Sequence, residues 1–190
     1  SSWFQKLESA NLAPDAASFT NVMAAYAKRG SIDGALRWYD LLKERRIKDV
    51  NLVVDSHVYG TILSAVAKKG DLTTAENILS DMKNAEVRPN AFIYSILTDC
   101  AANSNVSDGK NVTAALQYLD RMQHARFKPD LVTYTNIVKA YCRAGDVPAA
   151  ERFLKTTCSK NIAIISSKIS SVLRASLRLS LYFNAFLAIL

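Results

Sequence analysis

Four polar residues, Asp15, Asp55, Asn90 and Asp130, each stand five positions before a small residue set in an apolar run: Thr20, Gly60, Ser95 and Thr135. Carboxylates, amides and hydroxyls do hydrogen-bond chemistry. At this spacing the natural partners of the first set are the free N–H groups at a helix start. No catalytic constellation accompanies them. The sequence has no paired-acid metal cluster, no Ser–His–Asp set, no phosphate-loop signature and no zinc-deaminase signature. Scattered acids such as Asp33, Asp40 and Glu44 read as solvated helix faces. Cys100, Cys142 and Cys158 are odd in number, match no zinc spacing and lie away from His57 and His124 in sequence. They read as buried or half-buried thiols in a reducing compartment. No enzyme activity, metal or cofactor is expected.

The elements that position these residues recur. Phe19, Tyr59, Tyr94 and Tyr134 are separated by 40, 35 and 40 residues. Leu42, Met82 and Met122 follow their aromatics at 23, 23 and 28 positions, and Ile47, Val87 and Phe127 at 28, 28 and 33. Gly34-Ala35, Thr74-Ala75, Ala114-Ala115 and Ala149-Ala150 keep the same register. The basic period is 35, with five extra residues between Ile47 and Asp55 and five more near Asn103–Asn111. Such a period signals an array of supersecondary units whose stacking buries what one unit cannot.

Each unit reads as two helices. Asp15, Asp55, Asn90 and Asp130 cap the first, three of them after Pro14, Pro89 and Pro129. Phe19, Val22, Met23 and Tyr26, like Tyr134, Ile137, Val138 and Tyr141, then recur at helical spacing. Gly30, Gly70 and Gly145 close that helix, and Ser31, Asp71 and Asp146 cap the second. The expected division is the end of an earlier unit over 1–15, units over 16–55, 56–90 and 91–130, a degenerate unit over 131–162, and a helical tail over 163–190. The opening residues fit the second helix of a preceding unit, since Leu7 lies 75 positions before Met82. The chain is therefore expected to be a piece of a longer array.

The composition agrees with a folded protein: 49% hydrophobic and 22% charged, with six Gly and four Pro, too few for long disordered linkers. The net charge of +7 is uneven, because residues 1–150 carry 18 basic and 16 acidic side chains and residues 151–190 carry 6 and 1. This modest bias does not by itself identify a nucleic-acid binder. The last ten residues are nearly all apolar but too few for a membrane span, and no membrane partner is expected. The tail reads as a packing cap, an amphipathic partner-binding helix or an ill-defined terminus.

The aromatic of "VTY", the Ala–Gly–Asp turn, the Met near the second helix end and the closing Lys-Pro-Asp resemble the pentatricopeptide repeat family over about residues 1–162. The tetratricopeptide repeat has a period of 34 and lacks the recurrent Pro-Asp/Asn closure. The resemblance implies an all-α, right-handed solenoid of helical hairpins that binds single-stranded RNA in mitochondria or plastids, one base per unit. It further implies that the residue after each aromatic (Thr20, Gly60, Ser95, Thr135) and the last residue of the unit (Asp55, Asn90, Asp130) read a base edge. For the fourth unit the second position falls on Ile165, which departs from the pattern. Thr20 with Asp55 and Ser95 with Asp130 would favour guanine, whereas Gly60 with Asn90 offers no hydroxyl and would discriminate weakly. The implied preference is G-x-G, running 5′ to 3′ along the chain.

Ala17, His57, Phe92 and Val132 occupy the position from which the family wedges apolar side chains between bases. Phe92 and Val132 fit that role, Ala17 is small, and His57 suits stacking and a solvated surface equally. Lys28, Lys68 and Arg143 hold equivalent places near the ends of first helices, with Asn103 in the third unit. They form either a phosphate-binding stripe or simple complements to the helix dipole. The same duality applies to Asp15, Asp55, Asn90 and Asp130, which suit caps whatever the array binds. The competing reading is a scaffold that grips a protein segment or docks on an organellar RNA–protein assembly such as a ribosome. A third is the repeat arm of a larger RNA-processing enzyme.

Overall fold

A computed structural model describes residues 14–49, 52–105 and 109–158, with side chains described to residue 156. The expected earlier half-unit, the tail, Ile165 and the side chain of Cys158 lie outside the described residues. Eight helices alternate without a strand among the described residues: α1 Ala16–Lys28, α2 Ile32–Lys48, α3 Ser56–Lys69, α4 Leu72–Asn84, α5 Ala91–Asn103, α6 Lys110–His124, α7 Leu131–Arg143 and α8 Val147–Cys158. The chain is an all-α solenoid, with four helical hairpins among the described residues. The first helices, α1, α3, α5 and α7, pack against one another in order, and each packs against the second helix of its own hairpin.

The caps act as local chemistry dictates. Asp15 accepts from Ser18 N, Asp55 from His57 N and Val58 N, Asn90 from Ile93 N, and Asp130 from Thr133 N. Each bond satisfies donors that the first helical turn leaves without an intrahelical acceptor. Asp71 and Asp146 cap α4 and α8 in the same way through Thr74 N and Ala149 N. Ser31 differs: it stands at the start of α2 but its side chain makes no capping bond.

Two helix-end landmarks in the sequence prove to be one motif. At the end of α4, Glu86 N donates to Lys83 O and Val87 N to Met82 O; at the end of α6, Arg126 N donates to Gln123 O and Phe127 N to Met122 O. These paired bonds form a Schellman closure, in which an apolar residue beyond the helix folds back toward one in its last turn. Glu86 and Arg126 therefore take positive φ, 60° and 63°, without being glycine.

Small residues set the helix spacing, and Ala35, Ala75, Ala115 and Ala150 are fully buried. Between them Phe19, Met23, Leu42, Ile62, Leu63, Leu79, Met82, Ile93, Leu97, Met122 and Ile137 fill the core. Edge-on aromatic pairs join successive helices: Phe19 with Trp38 at 6.1 Å, and Tyr39 with Tyr59 at 6.2 Å between ring centroids. Polar ties reinforce the second-helix layer. Tyr39 Oη donates to Asp81 across 3.0 Å, and Tyr118 Oη donates to Glu76. No described helix is long and apolar enough to cross a membrane.

Candidate functional site

The first turns of the first helices bring the wedge positions to the surface. Ala17, His57, Phe92 and Val132 are all exposed, although each follows its cap by only two residues. Phe92 and Val132 expose 61% and 56% of their surface, whereas most large apolar residues of the first helices are buried. Both line a groove of about 340 Å³ between α3, α5 and α7. Ser95 also faces the groove, and so do Ser64 and Lys68 from α3 and Asp99 and Asn136 from α5 and α7. Two exposed apolar side chains thus stand on either side of a hydroxyl, with an ammonium at the rim.

The groove is held in register by bonds between units. Asn136 Nδ2 donates to the Ser95 carbonyl at 3.4 Å, and Lys139 pairs with Asp99 at 3.3 Å. The ion pair leaves Asp99 partly neutralised beside the groove, which lowers the repulsion an anionic ligand would meet there.

The small residues of the four units are not equivalent in space. Thr20 is buried, and its hydroxyl donates to the Ala16 carbonyl at 2.7 Å. Thr135 is half-buried and donates to Leu131 O at 2.7 Å. A hydroxyl so bound keeps its oxygen lone pairs as acceptors but has spent its proton. Ser95 makes no such internal side-chain bond. Gly60 is buried and does not line the groove, because Phe92 and Ile93 lie over it.

The unit-closing residues all act as caps of the helix that follows them. In Asp15, Asp55 and Asp130 the cap bonds all fall on Oδ1, leaving Oδ2 without a hydrogen bond among the described residues. A carboxylate can cap a helix with one oxygen and present the other outward. The bonds from the Ser18 hydroxyl and backbone N–H hold the Asp15 carboxyl below the usual carboxylate range. Asn90 has one oxygen only, which accepts from Ile93 N at 3.0 Å, so its amide nitrogen is turned toward Ser56 Oγ at 3.5 Å.

The expected stripe of cations divides. Lys28 and Lys68 are exposed and make no ion pair among the described residues. Arg143 instead turns back along the array and donates through Nη1 to the Ala102 carbonyl at 3.2 Å and to Asn103 Oδ1 at 3.4 Å. Asn103, the third unit's residue at the same place, does likewise, donating to Ala67 O at 2.9 Å. Sequence reasoning missed this capping of one first helix by the next. The signal lay in Asn103, a neutral residue in a position otherwise cationic. The described residues contain no group of three or more His, Cys, Asp or Glu able to hold a metal ion.

Family models match three stretches of the chain: the PPR repeat over residues 17–47 and again over 125–156, and the PPR repeat family over 54–103. Together they span more than half of the 190 residues. Among solved structures, the PPR domain of Arabidopsis thaliana protein-only RNase P 1, in complex with tRNA, aligns with a TM-score of 0.59 and 16% identity. That alignment covers 82% of this chain and 83% of the other. The pentatricopeptide repeat protein PPR10 from maize aligns with a TM-score of 0.44 and 18% identity over 92% of this chain, which spans 28% of the maize protein. A search of curated proteins finds no match. At these identities the structural likeness is one of fold.

Proposed function

Because the chain belongs to the pentatricopeptide repeat family, we propose that it binds single-stranded RNA along the exposed face of its first helices, one base per unit. The observation that carries this reading is the groove of Phe92, Ser95, Val132 and Lys68. Exposed flat and branched apolar side chains can hold an unstacked base between them, and a hydroxyl can reach its edge. Lys68 stands where a backbone phosphate would need a cation. The PPR domain that aligns over most of this chain is itself held in complex with tRNA, which supports an RNA partner.

Within this reading, Ser95 and the outward oxygen of Asp130 serve one guanine, and Thr20 with Asp55 another, in the order G-x-G. The Asp oxygen accepts from the guanine N–H groups. The burial of Thr20 makes its unit the weaker reader of the two. The array acts by positioning RNA and supplies no chemistry of its own. Its place is organellar RNA processing, stability or translation in a mitochondrion or plastid, alone or with other proteins of an RNA–protein complex.

Filter binding with G-rich and U-rich 12-mers at two salt concentrations tests the proposal. Preference for the G-rich strand and affinity that falls steeply with salt are expected. Indifference to both would favour the protein-binding scaffold. One feature favours that second reading: a separate groove of about 410 Å³ between α2, α3 and α4, lined by Lys43, Arg46, Ile47, Tyr59, Asp81 and Asn84. Ile47 there is 83% exposed.

A further inference from the structure

We propose that the groove between α2, α3 and α4 is a docking site for an acidic segment of a partner protein, one that carries an aliphatic side chain next to a carboxylate. The groove shares no lining residue with the one between α3, α5 and α7, and its role is independent of RNA binding. Its origin is the five-residue insertion of the first unit. α2 runs six residues past Leu42, to Lys48, whereas α4 and α6 stop two past Met82 and Met122, at Asn84 and His124. At those two helix ends Val87 and Phe127 fold back and are half-buried. Ile47 holds the same place in the sequence register but stays on the extra turn, where it is 83% exposed. The inserted segment sends Leu52 and Val54 into the core instead.

The groove is rich in donors, and its one lining acid is already engaged. Asp81 Oδ2 accepts from Tyr39 Oη and from Lys43 Nζ, each at 3.0 Å, and Lys43 also pairs with Asp40 at 3.4 Å. Arg46 sits beside the Tyr59 phenol, and its guanidinium has more N–H donors than that one neighbour can use. Residues 43–49 carry four basic side chains, Lys43, Arg45, Arg46 and Lys48, against two acidic ones, Glu44 and Asp49. Carboxylates are the complement of such a surface. Ile47 sets the other half of the occupant, because a branched aliphatic surface gains by covering with another aliphatic side chain. Tyr59 is 3% exposed and leaves no ring face on which a base could stack. A carboxylate beside a leucine, isoleucine or valine satisfies both halves, so the occupant is a protein segment rather than a nucleic acid.

The experiment selects phage-displayed random dodecapeptides on the immobilised full chain, then titrates the enriched peptides by fluorescence anisotropy. Enrichment of aspartate or glutamate next to an aliphatic residue is expected. Arg46→Glu is expected to weaken these peptides about tenfold, the scale of one hydrogen bond between charged groups. Ile47→Asp is expected to do the same, about tenfold, through lost apolar contact. Neither side chain belongs to the core, and circular dichroism checks that both variants fold. Arg152→Glu, the same change of charge at an exposed site on α8, is expected to leave peptide binding unchanged. Selection of basic or aromatic peptides, or of none, overturns the docking site. So do unchanged affinity in both groove variants, an equal loss in Arg152→Glu, and displacement of the peptide by a 12-mer RNA. Each of these outcomes leaves the RNA reading standing, and a failure of RNA filter binding leaves the docking site standing.

Discussion

The Arg143 guanidinium donates to the Ala102 carbonyl at 3.2 Å, so a side chain at the end of α7 caps the end of α5. Asn103 does the same for α3 through Ala67. Two first helices, α3 and α5, thus end with a carbonyl satisfied by the following unit, a polar stitch that accompanies the apolar core. Arg143 and Lys68 hold equivalent places in sequence but do different work.

That difference is measurable. Lys68→Ala should leave the urea midpoint nearly unchanged and reduce the slope of log affinity against log salt by about 0.7, the value for one phosphate contact on a single strand. Arg143→Ala should instead cost about 0.5–1.5 kcal/mol of stability, the scale of a lost hydrogen bond, with a smaller change in salt slope. Equal salt slopes for the two variants would contradict the assignment.

Capping and base reading separate at Asp130. Asp130→Ala removes the acceptor for Thr133 N and Thr133 Oγ1 and should destabilise by about 1 kcal/mol. Asp130→Asn retains the cap, since asparagine caps as well as aspartate, but its single oxygen must turn inward and its amide outward. Urea denaturation should find this variant close to wild type, while RNA titration shows its guanine preference at that unit lost.

Two backbone positions give opposite signs. Gly70 has φ of +71°, and a Cβ there would lie 2.4 Å from the backbone of Asn103, where nothing can yield cheaply. Gly70→Ala should cost more than 2 kcal/mol, beyond the ~1–2 kcal/mol of left-handed backbone strain alone. Glu86 adopts φ of 60° with a side chain, so Glu86→Gly should relieve strain and stabilise by about 0.5–1 kcal/mol. Thermal unfolding followed by circular dichroism measures both.

Burial, with the nearby charges of Asp71, Asp99 and Glu76 adding to it, pushes the Cys100 thiol up to about 12 from an ordinary 9.0. The folded chain therefore holds this proton more tightly than the unfolded chain. Its contribution is fully present below pH 9 and is lost as pH rises through 12. The phenols of Tyr39 and Tyr118, raised chiefly by burial, act in the same direction. Urea midpoints should fall above pH 9, and iodoacetamide at pH 8 should modify the peptide containing Cys100 only after unfolding, as mass spectrometry can show.

The array was legible because its causes are local. A cap residue, an aromatic four places on and a pair ending in alanine sixteen beyond that (with five more in the third unit) are properties of one hairpin, and recurrence multiplies the signal. The Schellman closures at Met82–Val87 and Met122–Phe127 were visible as landmarks, although not as a hydrogen-bond motif, because Glu86 and Arg126 lack the glycine that normally marks them. Phe92 and Val132 were singled out through the family resemblance, and both prove exposed.

From sequence alone, then, came the helices, their period, their caps and the identity of the positions that could meet a ligand. Tertiary structure decided what each of those positions does. Thr20 is covered, Arg143 is drawn back to Ala102, one oxygen of Asp130 is spent and one spared, and Phe92 settles on Gly60. Two of these outcomes, at Arg143 and at Phe92, depend on groups 41 and 32 residues apart, brought together when one hairpin stacks on the next. A repeating pattern specifies that stacking in general, whereas the burial and hydrogen bonding of each side chain depend on the particular neighbour it meets.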